Sequence, residues 1–489
     1  MDARPGGYLA GYKRGHFTFD TAIHWLNQCG PAGIVTAIFD HIGDDCPRAP
    51  TLKQIRRFRG EEHDYLLTTN PDDLRDSLMA DAPNERAAIM QFFEASKTMG
   101  EVFHDLAFRL RSGESMGLVE RARRGMQLGK ATWPMANFSR YSTDKAFDRL
   151  FKSELLRKVF CTDDRLMSCL CPVGWAYDQD FQSPPAGGSQ AYPEFLVRTI
   201  IDCGGTVSYR SKVSEIVVDN SVATEVRFAK GLRNPQAGSI RCDNVLAACD
   251  LLTVYEKMLP AGVVPSKTLE KLKAADLYDS SVTVSLGLNV CTQELGLGEE
   301  MTSLTRDGIP TEKHNAGDPE FAAITLLAPS VRDPTLAPRE KGTMTLYSTA
   351  NIEYGERWKT GPDFERGPEY KAFKKAYANV LLDRVEETLI PGLRQHIEVM
   401  DIATPVTHQR YTGNRGGTLM GTRPSRANIR ANLAHYRTPV KNLLIAGHWA
   451  EYGGGVPMTV RAAANSALLV LQQEDAAEFE RLRLVLDRE

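Results

Sequence analysis

The sequence predicts an α/β protein built from more than one packed unit. Three observations carry this. The chain has 489 residues, too many for one simple core, which implies two or more domains or one domain interrupted by another. Near its end, "NLLIAGHWAEYGGGVPMTVRAAANSALLVLQ" reads as a strand, a glycine-rich loop and a helix. Earlier, a helix followed by short strands gives way to a long region, about 255 to 430, where three strands precede a helix.

The elements follow in order. Residues 1 to about 70 mix glycine, aromatic and charged residues. From Pro83 to Gly113, Ile89, Phe92, Phe93, Met99, Phe103 and Leu106 recur on one face of a helix. Phe92, Phe93, Phe103, Phe108 and Trp133 are candidates to line an apolar pocket, with bulk core the plainer role for each. Ser189 is placed to cap a helix that runs to about Cys203 and ends at Gly204-Gly205. "KVSEIVVD" and "SVATEVRFA" read as strands joined at Asp219-Asn220, with "DNVLAACD" as a third strand of the same meander. In "SSVTVSLGLNV", Val282, Val284, Leu286 and Leu288 alternate with smaller residues, which predicts a half-buried strand. "FAAITLLAPS" and "GTMTLYSTA" give two more strands, and "YKAFKKAYANVLLDRVEETLI" a helix stopped by Pro391-Gly392.

In the terminal stretch, Val460, Ala463, Ala464, Ala467, Leu468 and Leu471 predict a helix with one apolar face. Bare N–H groups in the preceding loop and the positive end of the helix favour a phosphate or another electron-rich group; a plain strand-to-helix turn is the alternative. The tail "EDAAEFERLRLVLDRE" reads as an amphipathic helix, either a solvated cap or a membrane contact.

Composition narrows the function classes. Apolar content of 42%, charged content of 25% and a net charge of −3 are ordinary for a globular protein and show no nucleic-acid footprint. The nine cysteines form no C-x-x-C pair; Cys169 and Cys171 read as buried thiols before they read as metal ligands, and no metal is expected. Their odd number suits a reducing, cytoplasmic setting, with peripheral membrane association left open. No run reaches the roughly 18 apolar residues that a spanning helix needs.

Four separated stretches resemble one family in chain order. "RPGGYLAGYKRGHFTFD" resembles the Gly-Gly motif of FAD-dependent, amine-oxidase-like flavoproteins. "AGGSQAYPEFLVRTIIDCGGTVSYRSKVSEIVVD" looks like their adenine-side helix and strand. "DPTLAP", Asp333 to Pro338, resembles a signature of phytoene desaturase-like members. "LLIAGHWAEYGGGVPMTVRAAANSALLVL" is similar to their second flavin-contacting segment. "FDTAIHWL" resembles the carotenoid (prolycopene) isomerase and retinol saturase branch.

The resemblance implies a Rossmann-like FAD-binding domain, discontinuous over 1–70, 180–255 and 430–475. It implies a substrate domain of mixed sheet plus helices over 71–179 and 256–429, with a helical tail at 476–489. The implied activity is desaturation, saturation or cis-trans isomerisation of a carotenoid- or retinoid-like polyene through flavin hydride chemistry. Arg4, Gly6 and Gly7 would meet the FAD phosphates or ribose, and Val213 the adenine. Gly447, Gly454, Gly455, Val456 and Pro457 would run beneath the ring, with Met458 and Thr459 offering N–H groups. His24, Trp25, His448, Trp449 and Glu451 are the catalytic candidates. Two other readings stand beside this one: a lipid- or prenyl-binding protein resembling GDP-dissociation inhibitors, and an amine or amino-acid oxidase.

Such proteins open with a βαβ unit of about 30 residues that carries G-x-G-x-x-G. No such unit precedes Gly6-Gly7, and "GNRGGTLMG" has the wrong spacing to replace it. The expectation is that the chain starts at an internal methionine and that a longer form carries the unit.

Overall fold

A computed structural model describes residues 3–107, 109, 111–133, 143–160 and 166–487; Phe108 lies outside them. The largest sheet has seven strands. In chain order they are β3 (Gln54–Arg59), β4 (Asp64–Thr68), β9 (Ser280–Leu288), β10 (Met301–Leu304), β11 (Ile324–Leu327), β12 (Gly342–Ala350) and β13 (Ile397–Ala403). Their spatial order is β13-β9-β12-β11-β10-β3-β4, with only the β10–β3 pair parallel. Thus β3 and β4, from the first 70 residues, complete the edge of a sheet made mainly from the long middle region.

The sequence predicts a half-buried β9, yet all of its residues are buried. Val282, Val284, Leu286 and Leu288 face a core shared with Tyr377, Leu381 and Val385 of a helix at Pro368–Thr388. The Ser, Thr and Gly face is covered as well. A hairpin of β1 (Gly11–Arg14) and β2 (Phe17–Asp20) lies on it. A Cβ on Gly287 would come 2.5 Å from the Phe17 ring, so only glycine lets the hairpin down onto the strand. Tyr12 Oη donates to Ser285 Oγ at 2.9 Å. Small polar residues mark this buried face because a second layer packs closely on it.

The meander forms, with one exchange of partners. β5 (Ser211–Asp219) and β6 (Val222–Lys230) pair across a turn in which Asn220 and Ser221 both have positive φ, as a two-residue hairpin of matching twist requires. The third strand is β7 (Gln236–Arg241), not "DNVLAACD". That stretch forms β8 (Val245–Ala247), which leaves the meander and pairs in parallel with β14 (Leu443–Ile445). Ala247, Leu443, Leu444 and Ile445 are the apolar centre there, together with Ile216 and Trp449.

Five helices matter for the site and its surroundings. α1 (Ile34–Ile42) and α2 (Arg86–Ala107) come first, followed by α3 (Leu118–Thr132). On α2, Phe92 and Phe93 pack with Phe147, Phe151 and Phe160, while Phe103 meets Trp175. These rings are core rather than pocket wall, and Trp133 is exposed.

α4 (Ala191–Asp202) ends before Gly204, as its sequence predicts. Ser189 does not cap it: its hydroxyl lies within hydrogen-bond reach of the Leu9 carbonyl and of Asp20, with one proton to donate to either. α5 (Val456–Glu474) is buried nearly all round instead of on one face. Val456, Ala464 and Leu468 pack against α1, while Ala462 and Leu469 join the β8–β14 core. Arg461, Asn465 and Ser466 are also buried, and these polar positions hide the second face from any apolar count. The tail is a helix (Ala476–Leu486) with Leu482 and Leu486 buried against α1 and α5, so its apolar side is spent as a cap. Among the described residues, no helix is long and apolar enough to cross a membrane.

Candidate functional site

Two glycine segments stand on either side of a third. In the first, Gly6 has φ 124° and Gly7 φ 55°, both in the region that favours glycine. A Cβ on Gly6 would press within 2.9 Å of the Ala10 nitrogen, while Gly7 borders open space. Arg4 Nη1 donates to the Gly11 carbonyl at 2.5 Å, so it braces this turn. Gln190, just before α4, accepts from Gly11 N and donates to the Pro5 carbonyl. The start of α4 therefore faces the Gly6-Gly7 turn.

In the second segment, Gly447 (φ 68°) opens a short 3-10 turn that carries His448 and Trp449. Gly455 (φ 90°) precedes α5, and no side chain caps that helix. Pro457, in its first turn, brings no N–H. Thr459 N and Oγ1 turn back to the Gly455 carbonyl. Val456 is buried, whereas Met458 and Thr459 stay half-buried at the helix start.

The third segment, Asn414–Arg423, joins the two, although its glycine spacing carries no signal in the sequence. Tyr8, beside Gly7, donates to the Thr418 carbonyl at 2.8 Å. Gly421 lies against His448, where a Cβ would come 2.6 Å from Cδ2. Gly454 lies against Met420, and Gly453 N donates to the Thr422 carbonyl at 3.0 Å. Asn414 accepts from Trp449 Nε1 at 3.0 Å, and the Arg415 guanidinium sits 5.6 Å from the Trp449 ring while pairing with buried Asp250.

The five catalytic candidates separate by surroundings. Trp449 is packed and hydrogen-bonded, a structural pillar for the loop. Trp25 packs on Trp175 and Phe181 in the aromatic core. Glu451 is ion-paired with Arg461 and accepts from Tyr436 Oη, so its carboxylate is committed and is no free acid. His448 differs: its Nε2 is buried and has no hydrogen-bond partner among the described residues. Burial pushes this imidazole down to about 4, so it is neutral at pH 7.

His24 stacks flat on Tyr347, with ring centres 4.3 Å apart. Burial pushes it down to about 3, with Arg332 adding to the effect. It lines a cavity of about 20 Å³ with Asp20, Arg332 and Asp333, room for a water and far too little for a polyene. "FDTAIHW" and "DPTLAP", some 300 residues apart, thus converge here. Arg332 Nη1 donates to the His24 carbonyl at 2.5 Å, and Asp333 accepts from Gly187 N at 2.6 Å. Arg332 and Asp20 are contributors that the sequence reading did not single out. Val213 sits on the outer meander strand opposite Phe228; among the described residues no hydrogen bond ties it to either glycine segment.

The Glu451–Arg461 pair also sets a stability prediction. Their side chains are 14% and 9% exposed, and Asn465 joins them. Arg461→Met should destabilise the protein by about 3–5 kcal/mol, because Glu451 is left buried without its partner. Urea unfolding checks this, and Arg461→Met/Glu451→Leu should recover most of the loss. Equal instability of the single and double variants would refute the explanation.

Comparison with known proteins places the chain. No family model matches it. The all-trans-retinol 13,14-reductase of Danio rerio is 24% identical over 500 residues, covering 91% of this chain and 77% of its own. The lycopene-forming phytoene desaturase of Pseudescherichia vulneris is 24% identical over 492 residues, covering 96% of this chain and 92% of its own. The chloroplastic prolycopene isomerase of Daucus carota is 25% identical over 234 residues, which is 48% of this chain and 35% of its own. Among solved structures, an oxidoreductase from Methanosarcina mazei superposes with a TM-score of 0.58 at 13% identity, over 94% of this chain and 91% of that one. Putrescine oxidase bound to putrescine gives 0.52 at 10% identity, over 98% and 92%. The chain is a relative of these reductases, desaturases and isomerases, and it shares the fold of the oxidoreductase and the putrescine oxidase it superposes on.

Proposed function

We propose that the protein binds FAD along its two glycine segments and acts on a carotenoid- or retinoid-like polyene. The observation that carries this reading is His448 Nε2. It is a buried polar atom with no partner among the described residues, on a loop lined by glycines, at the foot of an uncapped helix. A buried nitrogen left unmatched costs stability unless a bound group meets it. The residues present fit a flavin in three respects: a bare backbone for close approach, a helix start for negative charge, and an unmatched imidazole.

In this reading the cofactor part is built from 1–70, 180–255 and 430–475, except that β3 and β4 extend the sheet of the substrate part, which takes the segments between. Gly447, Gly454, Gly455, Val456 and Pro457 border the ring system, with Met458 and Thr459 at the helix start. Gly6 and Gly7 approach the phosphate or ribose end while Arg4 braces their turn, and Val213 lies toward the adenine.

A bound flavin supplies two-electron hydride exchange, which this chain's own side chains do not. The protein contributes position, a dry site and one proton-carrying nitrogen. His448, neutral at pH 7, can hold or accept a proton at Nε2. The polyene class comes from the names of the relatives, which specify retinol, prolycopene and phytoene chemistry.

The test is a titration of the purified protein with FAD, followed by flavin absorbance and fluorescence, then incubation with retinol, phytoene and prolycopene. Saturable flavin binding that weakens in His448→Ala is expected, with product from at least one polyene. If no flavin binds while a prenyl lipid does, the protein is a lipid carrier.

A further inference from the structure

The face of α3 away from the protein is apolar, and nothing among the described residues covers it. Leu118 and Val119 are each 84% exposed, Met126 66% and Trp133 76%. Trp133 continues the helical backbone past Thr132, with φ −53° and ψ −44°. At about 100° per residue, Leu118, Val119, Ala122, Met126, Gly129 and Trp133 all fall within an arc of about 100°. The anchored side lies opposite. Glu120 pairs with buried Arg111, Arg124 pairs with Asp487, and Arg111 also reaches Asp487. The helix is thus pinned by one face and presents the other.

Cations rim the presented face. Arg121 lies on one side of it, with Arg123 and Lys130 on the other. Among the described residues these three have no carboxylate partner, although the chain as a whole carries −3. An apolar stripe ending in tryptophan and bordered by unpaired cations matches an interfacial helix. Two copies meeting through this face would set cations against cations.

We propose that α3 docks the protein onto an anionic lipid bilayer, lying in the interface plane with Leu118, Val119, Met126 and Trp133 in the acyl boundary. The tail helix, the membrane candidate from sequence, cannot serve because its apolar side is buried. The docking stands on α3 alone and does not depend on the flavin reading. That reading gives it a use, since a polyene dissolves in lipid.

The experiment sediments the full chain with sucrose-loaded vesicles of phosphatidylcholine, with and without one-third phosphatidylserine. Wild type should partition at least about tenfold more strongly onto the anionic vesicles, less so in high salt, because each cation near such a surface is worth about fivefold. Leu118→Ser/Val119→Ser/Met126→Ser should lower binding at least about tenfold. Arg121→Glu/Arg123→Glu/Lys130→Glu should erase the preference for phosphatidylserine. Binding should shift tryptophan emission to the blue in wild type and not in Trp133→Phe. All these sites are exposed, so the unfolding midpoint reports that the variants remain folded. Absence of wild-type binding, or equal binding by the variants, overturns the proposal. So does a concentration-dependent dimer that the triple serine variant abolishes without any vesicle binding, which would make the face an interface between copies.

Discussion

Acidification from pH 6.5 to 5.5 should cost the folded protein about 1 kcal/mol for each of three desolvated histidines. Burial depresses all three, His24 to about 3 and His408 and His448 to about 4. The unfolded chain takes up these protons near pH 6.5 while the folded protein refuses them. Stability is therefore complete above about pH 6.5 and falls as the pH drops toward the folded values. His435, also depressed by burial, adds in the same direction. Asp20 and Asp180 oppose it, because burial holds both above the usual carboxylate range and the folded protein protonates them first. Their offset grows toward pH 4, so the upper part of the window reads the histidines most cleanly. Urea unfolding at pH 6.5 and 5.5 measures the loss, and His408→Asn should shrink it by about a third. A protein equally stable at both values would show that these imidazoles are not desolvated.

The same histidines show what a sequence can and cannot reveal. His24 and His448 were visible because each sits in a motif, "FDTAIHW" and "GHWAEYGGG". His408, buried and 5.9 Å from the Tyr8 ring, has no motif; only folding places it on the polar face of β9. The expected strands β9, β11 and β12 form where apolar recurrence marks them, whereas β3 and β4, alternately buried, leave no such mark among residues 1 to about 70. Both β9 and α5 form as expected, and only their burial exceeds what periodicity implies: β9 lies beneath its hairpin, and α5 has Arg461, Asn465 and Ser466 inside. The exchange of β8 for β7 was hidden for another reason, because strand partners 200 residues apart leave no local trace. The join at Asn414–Arg423 escaped too. Gly416, Gly417 and Gly421 each have positive φ, but spacing alone does not tell a bridge from a loop.

Valine at Gly454 should both destabilise the protein and strip it of flavin. A Cβ built there would lie 2.2 Å from Met420 Cβ and 2.7 Å from its Cα, closer than side chain or backbone can tolerate. Relief requires either the glycine loop or the 414–423 segment to move, and each holds part of the proposed site. Overpacking of this kind costs about 1–3 kcal/mol, and the valine methyl groups add to it. Movement of the loop would also pull Gly453 from the Thr422 carbonyl and His448 from Gly421, two contacts that hold the loop against the 414–423 segment. Flavin affinity should therefore fall by at least about tenfold, since misplacement near 1 Å is enough to lose a preorganised site. Urea unfolding and FAD fluorescence titration read the two effects separately. Gly454→Ala/Met420→Gly should return part of both, because removing the Met420 side chain clears the nearest collisions. Destabilisation with unchanged flavin affinity would make Gly454 a packing residue and move the cofactor away from this loop. An unchanged protein on both counts would mean that Met420 and Gly454 do not meet.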